Sequence, residues 1–160
     1  MTDKPLKNLP YRLNVGIVLT NSDGKIVAGK RIKGPGDAWQ MPQGGIDKGE
    51  DPLQAAFREL EEETGVKKSD VDFVSQTSDW LSYDLPDKIA RTIWGGKYRG
   101  QKQKWFLFRF NGDDVQINIA AKDAEFSEWK WLYPKELIDF IVPFKKAVYR
   151  DVFLELLQYR

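Results

Sequence analysis

The sequence contains no cysteine and no histidine. Without cysteine there is no disulfide, no thiolate nucleophile and no cysteine-ligated zinc. Without histidine the commonest general base is missing, and so is any Ser-His-Asp arrangement. Chemistry in this chain falls to carboxylates, with a metal ion as their natural partner. No apolar run approaches the roughly 18–20 residues of a membrane span. Met1 to Asn14 carries no apolar segment of the signal-peptide kind. A cytoplasmic location away from the membrane is the expectation, and no obligate protein partner is inferred. Strong charge of either sign is also absent: 25 Lys and Arg stand against 24 Asp and Glu, a net +1. That excludes a polybasic nucleic-acid coat, so any contact with polyphosphate or RNA must come from a local basic cluster.

What is present suits one globular domain over residues 1–160, with 41% hydrophobic and 31% charged residues. Repeats, low-complexity tracts and linkers are missing. "LNVGIVLT" (13–20) is apolar and β-branched and predicts a strand, "NSDG" a turn, and "KIVAG" (25–29) the return strand. "KGPGDA" (33–38) reads as a flexible loop and "WQMPQGG" (39–45) as a short strand entering a glycine turn. A helix is expected from Pro52 to Thr64, with Pro at its start and Gly65 past its end. One or two strands follow over 71–85, then an irregular excursion over 86–100 and a strand over 103–110. The last elements are a strand at 127–133, a helix at 134–141 and an amphipathic helix at 143–160. Such an order predicts a mixed sheet with helices on both faces.

The helix over 52–64 carries the chemistry. Leu53, Ala56, Phe57 and Leu60 form one apolar stripe. Glu59, Glu62 and Glu63, at i, i+3 and i+4, form a second stripe about 120° away. Like charges at this spacing weaken a helix by a few tenths of a kcal/mol per pair. A triple-glutamate run on a helix is most often a solvated face. The other reading is a hard-oxygen cradle for Mg²⁺ or Mn²⁺, which reverses the sign of the repulsion.

The surroundings favour the cradle. Gly44, Glu50, Arg58-Glu59-Leu60, Glu62-Glu63 and Gly65-Val66 satisfy every specified position of G-x5-E-x7-R-E-U-x-E-E-x-G-U, with U apolar. At about 5–7% usage per specified residue, a chance match throughout is negligible. The stretch Gly44–Val66 resembles the Nudix box. That resemblance implies an α/β fold, an α/β/α sandwich with a mixed β-sheet, and metal-assisted hydrolysis of a nucleoside diphosphate linked to another moiety. It implies Glu59, Glu62 and Glu63 as ligands of Mg²⁺, with Mn²⁺ or another divalent ion as the alternative. Arg58 is expected to orient the glutamates and Glu50 to support the loop before the helix. The backbone near Gln43 and Gly44 is expected to add a ligand, the glycines letting it come close.

"YRLNVGIVLTNSDGKI", "RGQKQKWFLFRF", "EFSEWKW" and "FKKAVYRDV" extend the likeness over nearly the whole chain. They resemble bacterial RNA pyrophosphohydrolases and diadenosine polyphosphate hydrolases, and "WLSYDLP" the α-proteobacterial and plant-type forms. A departure is Leu13, where that subgroup has proline. The likeness implies Glu125 as a further metal ligand or general base, Phe144 as a base-stacking ring, and Lys145 as a phosphate contact. It implies Arg12, Arg31 and Lys104 along the phosphate chain. Tyr83 and Trp94 are candidates for the cleft wall, and Lys97, Arg99 and Lys102 for the basic cluster; Trp39, Trp105, Trp129 and Trp131 are expected mostly in the core. The expected substrate is triphosphorylated RNA, which would lose pyrophosphate from its 5′ end, or a dinucleoside polyphosphate. The alternatives are a dedicated diadenosine tetraphosphate hydrolase giving ATP and AMP, or a non-catalytic nucleotide-binding domain. An isomerase on this fold relies on a cysteine, which is absent.

Overall fold

The computed structural model of the chain describes residues 5–33, 38–121 and 123–159. The loop expected over 33–38 therefore lies mostly outside the described residues. The elements are β1 (Tyr11–Thr20), β2 (Ile26–Arg31), β3 (Trp39–Gln40), β4 (Gln43–Gly45), α1 (Pro52–Thr64), β5 (Val71–Gln76), β6 (Leu81–Asp84), α2 (Asp87–Ala90), β7 (Gly100–Phe110), β8 (Phe126–Leu132), α3 (Pro134–Phe140) and α4 (Lys146–Leu156).

One mixed sheet organises them. β1 and β7 run parallel at its centre, with Tyr11 opposite Gly100 and Thr20 opposite Arg109. The other described pairings are antiparallel. β4 borders the first half of β1, and β6 the first half of β7. β5 takes the second half of β7, while β2 leaves the end of β1 and carries β3 and β8. A parallel pair needs a long crossover, and α1 lies within the chain that makes this one.

Both faces of β1 and β7 are covered, so their residues divide by alternation between two cores. Val15, Ile17, Leu19, Phe106 and Phe108 pack with Ala55, Ala56 and Leu60 of α1. Val18, Trp105 and Leu107 pack with Tyr149, Val152 and Leu156 of α4 on the opposite face. This is the mixed sheet with helices on both faces that the element order predicts, and the α/β/α sandwich that the resemblance implies. Trp39 and Trp105 are core residues, whereas Trp129 and Trp131 are half-buried.

The structure corrects two local expectations. Gly44 and Gly45 do not form a turn; they lie in β4, opposite Val15 and Asn14. The excursion over 86–100 is shorter than expected, because β7 already begins at Gly100. Its early residues find partners on both sides, Tyr11 in β1 and Asp84 in β6. Helix α1 has the expected limits. The Asp51 carboxylate accepts from the Leu53 and Gln54 amides at its start. Gly65 closes it in the left-handed region at φ 75°, donating its N–H to the Glu61 carbonyl.

Candidate active site

Two of the three glutamates in the stripe are buried where α1 meets β4. Glu59 and Glu63 are each 8% exposed, while Glu62 stands in solvent. The backbone of β4 makes this possible. A Cβ built on Gly44 would land on the Glu59 carboxylate, so the glycine leaves the room in which that carboxylate lies against β4. The Gln43 amide N–H donates to Glu63 Oε2 at 3.1 Å.

Arg58 ties the motif together. Its Nε and Nη2 donate to the two oxygens of Glu50 at 2.8 Å each, and Nη2 also reaches the Gly45 carbonyl at 2.8 Å. Its Nη1 donates to Glu59 Oε1 at 2.9 Å and to Glu62 Oε2 at 3.2 Å. The Arg58 hydrogen bonds hold the Glu50 carboxyl down to about 2. Glu59 goes the other way. Burial pushes it up to about 7, against the pull of Arg58. Burial also raises Glu63 well above the usual carboxylate range, and the neighbouring charge of Glu59 raises it further.

Donors line the same cleft as these glutamates, a cleft of about 620 Å³. From β1 come Arg12 and Asn14, two residues apart and so on one face of the strand. Arg31 at the end of β2 and Gln101 on β7 complete the set, and Glu125 faces the box helix from the chain before β8. Arg12 donates from Nη1 to Gln101 Oε1 at 2.9 Å, and its guanidinium lies over the Trp94 ring at 4.9 Å.

The structure thus brings Glu59, Glu62, Glu63, Glu125, Gln43, Gly44, Arg12 and Arg31 to one cleft. Arg58 sits behind the glutamates. Four other candidates do not line the cleft. Lys104 alternates onto the other face of β7 from Gln103 and donates to the Ser78 carbonyl at 3.2 Å. Tyr83 is buried beneath Gln101, whose Nε2 donates to its hydroxyl at 2.6 Å. Phe144 packs against Tyr83, with ring centroids 5.8 Å apart. Lys145 is 4% exposed and donates to Gln40 Oε1 at 3.2 Å. Burial, and secondarily the charge of Arg31, lowers its ammonium to about 7. These last three form a layer under the cleft floor, since Gln40 and Gln101 border the cleft from above. In the expected basic cluster, Arg99 is committed to Asp84 at 2.8 Å and to the Lys7 carbonyl at 2.9 Å. Lys97 and Lys102 are exposed and not at the cleft.

The sequence reading missed a lattice of amides beneath the donors. Gln103 accepts from Trp105 Nε1 at 3.1 Å, and its Nε2 donates to Asn14 Oδ1 at 2.8 Å and to Gln43 Oε1 at 3.2 Å. A signal for it exists. Asn14, Gln101 and Gln103 are polar residues at inward positions of otherwise apolar strands, and buried polar groups demand partners.

Among the described residues no three acidic side chains converge at liganding distance; Arg58 holds Glu59 and Glu62 to itself. The donor set nonetheless fits a divalent cation. Its oxygens are hard, and two of its carboxylates are buried close enough that, after burial itself, the charge of Glu59 raises Glu63 further, a repulsion that a divalent cation would relieve.

A family model described as NUDIX domain matches residues 10–153. The chain belongs to the Nudix family. It is 56% identical over 144 residues to an RNA pyrophosphohydrolase of Cereibacter sphaeroides strain KD131, covering 90% of this chain and 89% of that protein. To the RNA pyrophosphohydrolase of Rhodospirillum rubrum it is 48% identical over 159 residues, covering 98% and 94%. Among solved structures, a C. elegans Ap4A hydrolase binary complex superimposes with a TM-score of 0.66 at 24% identity, covering 89% of this chain and 97% of that one. The E. coli dihydroneopterin triphosphate pyrophosphohydrolase superimposes with a TM-score of 0.71 at 18% identity, covering 91% and 98%. At those identities the superpositions speak to the Nudix fold alone. No helix among the described residues is long and apolar enough to cross a membrane.

Proposed function

We propose that this Nudix hydrolase releases pyrophosphate from 5′-triphosphorylated RNA and leaves a 5′-monophosphate, acting in the cytoplasm as a single Nudix domain. The observation that carries the reading is one cleft lined both by Glu59, Glu62 and Glu63 and by Arg12, Arg31 and Asn14, a combination that suits a polyanion with cations beside it. The 48–56% identity to RNA pyrophosphohydrolases supports RNA as the source of that polyanion.

Glu59, Glu62 and Glu63 would hold the divalent ion, with Glu125 across the cleft and the Gln43–Gly44 backbone beside them. We take the ion to be Mg²⁺, with Mn²⁺ as the alternative. When bound, it supplies charge neutralisation and Lewis acidity at the phosphates. The rest falls to the chain. Arg58 fixes the Glu59 and Glu62 rotamers through the anchor it shares with Glu50. Arg12 and Arg31 draw the phosphate chain against the donors and hold the scissile anhydride toward the glutamates. A water oxygen bonds to phosphorus, the anhydride P–O bond breaks, and the water proton passes to a cleft carboxylate.

The test is a comparison of kcat/KM for a 5′-triphosphorylated oligoribonucleotide and for diadenosine tetraphosphate, at matched low concentration with Mg²⁺. A higher value for the RNA, with pyrophosphate as product, is the expected result. A clear preference for diadenosine tetraphosphate, giving ATP and AMP, would replace the RNA reading with the dinucleotide one.

A further inference from the structure

Asn14 is the one described residue with a buried side-chain polar atom that has no hydrogen-bond partner, its Nδ2. The residue is 1% exposed and borders the cleft. A buried donor without an acceptor is rare and calls for a cause.

The orientation of this amide follows from its neighbours. Trp105 Nε1 is an indole nitrogen, which can only donate. It donates to Gln103 at 3.1 Å, so the oxygen of Gln103 must face the indole. The Gln103 Nε2 group is thereby turned to Asn14 and donates to it at 2.8 Å. Asn14 must meet that donor with its own oxygen, which leaves its Nδ2 hydrogens on the far side. An indole in the core thus sets the face of an amide two steps away. Flipping Asn14 would put two donors against each other.

The amide oxygens around Asn14 are already engaged: Gln101 Oε1 accepts from Arg12 and Gln43 Oε1 from Gln103. Arg12 is its neighbour on the same strand face, and it brings donors only. Glu59 lies across Gly44 and is engaged by Arg58. An incoming oxygen-rich anion would supply what Asn14 lacks, next to the cation of Arg12.

We propose that Asn14 is a substrate-binding residue whose Nδ2 donates to a non-bridging oxygen of the bound polyphosphate, and that Gln103 is the positioning residue that presents it. A neutral, fixed donor beside Arg12 adds direction to the charge of the guanidinium. This rests on the polyphosphate reading of the cleft given above.

Inorganic tripolyphosphate is the probe, titrated calorimetrically into the metal-free protein and into Asn14→Asp and Asn14→Ala. Asn14→Asp keeps the acceptor that Gln103 needs but exchanges the donor for a negative charge, so its loss of affinity counts only where the uncharged Asn14→Ala, shown folded by its thermal melt, loses affinity as well. Both variants are expected to bind tripolyphosphate at least fivefold more weakly. In ¹⁵N spectra of the parent, the Asn14 carboxamide pair is expected to shift on titration. Affinities within twofold of the parent in both folded variants, or a carboxamide signal that does not move, would overturn the assignment. A parent protein that binds no tripolyphosphate would overturn the cleft reading and the assignment together. If the parent binds, the variants lose affinity, and yet triphosphorylated RNA is not cleaved, the proposed function fails while Asn14 keeps its role.

Discussion

Arg58 and Glu50 meet on two arms at once, Nε to Oε2 and Nη2 to Oε1, each at 2.8 Å. The pair locks the loop before α1 to the middle of that helix. It leaves Nη1 as the Arg58 donor turned toward Glu59 and Glu62. The carboxylates of Glu50, Glu59 and Glu62 and the Gly45 carbonyl therefore share one guanidinium.

The fork should be irreplaceable by a point charge. Lysine has three rotatable donors and no planar fork. Arg58→Lys is expected to lower kcat at least tenfold, with a smaller effect on KM, because the glutamates lose their orientation while the substrate contacts of Arg12 and Arg31 remain. Glu50→Gln, which keeps one acceptor and loses the charge, should fall between the parent and Arg58→Lys. Steady-state kinetics with Mg²⁺ check the order; full activity in Arg58→Lys would reduce Arg58 to a counter-charge.

Glu59 and Glu63 should behave as a site held in strain until a cation arrives. Burial raises the proton affinity of both; the charge of Glu59 raises that of Glu63 further, and the charge of Glu62 that of Glu59. Glu63→Gln removes one charge yet still accepts from the Gln43 N–H. Its melting temperature without metal is expected to rise by a few degrees, while kcat drops by at least a hundredfold. Millimolar Mg²⁺ should raise the melting temperature of the parent and scarcely move that of the variant. Scanning fluorimetry with and without metal checks both. Melting curves indifferent to Mg²⁺ and to the substitution would remove the shared ion.

The same burial gives a pH dependence whose sign can be worked out. Glu59 is raised from an ordinary 4.5 to about 7 in the folded state. Between those values the folded protein binds more protons than the unfolded one, so stability falls as pH rises through this window. Glu50, held down to about 2, has its stabilising contribution already complete above the ordinary 4.5. The metal-free protein should therefore lose melting temperature between about pH 4.5 and 7. Glu59→Gln should flatten that slope, and Mg²⁺, which favours the ionised carboxylates, should reduce it. A parent and variant with parallel pH profiles would contradict the burial of Glu59.

Much of this was legible before the fold was known, for local reasons. Pro52 and Gly65 punctuate α1 chemically, so its limits and its acidic stripe follow from the chain itself. The spacing of the box placed Arg58 among its glutamates. What escaped was set by alternation across the sheet. Lys104 and Gln103 are neighbours in sequence, but the pleat sends one to the Ser78 carbonyl and the other into the amide lattice. No composition argument distinguishes them without the register of β7 against β1. Gly44 and Gly45 looked like a turn because glycine usually marks one. Their reason is contact with Glu59 and Arg12, neither of which is near in sequence. Phe144 and Lys145 open the C-terminal helical region, where surface exposure is the usual outcome; the layer under Gln40 buries Lys145 and half-buries Phe144 instead.

Lys145 gives the last expectation. Its ammonium is buried, and its described hydrogen bond goes to an amide oxygen, not a carboxylate. Burial lowers it from the ordinary 10.5 to about 7. Below about pH 7 both folded and unfolded chains carry the charge, and the folded one bears the full cost of burying it. From about 7 to 10.5 the folded chain holds fewer protons than the unfolded one, so stability rises with pH there. Lys145→Met fills the same volume without charge. It should therefore melt higher than the parent at pH 6, and the gap should close as pH rises toward 10. If binding of a phosphate-bearing substrate exploits this stored cost, the same substitution should raise KM for nucleotides at pH 6. Paired melts at pH 6, 8 and 10 decide it: a gap that stays constant, or a variant that melts lower at pH 6, would mean that Lys145 is stabilised where it lies.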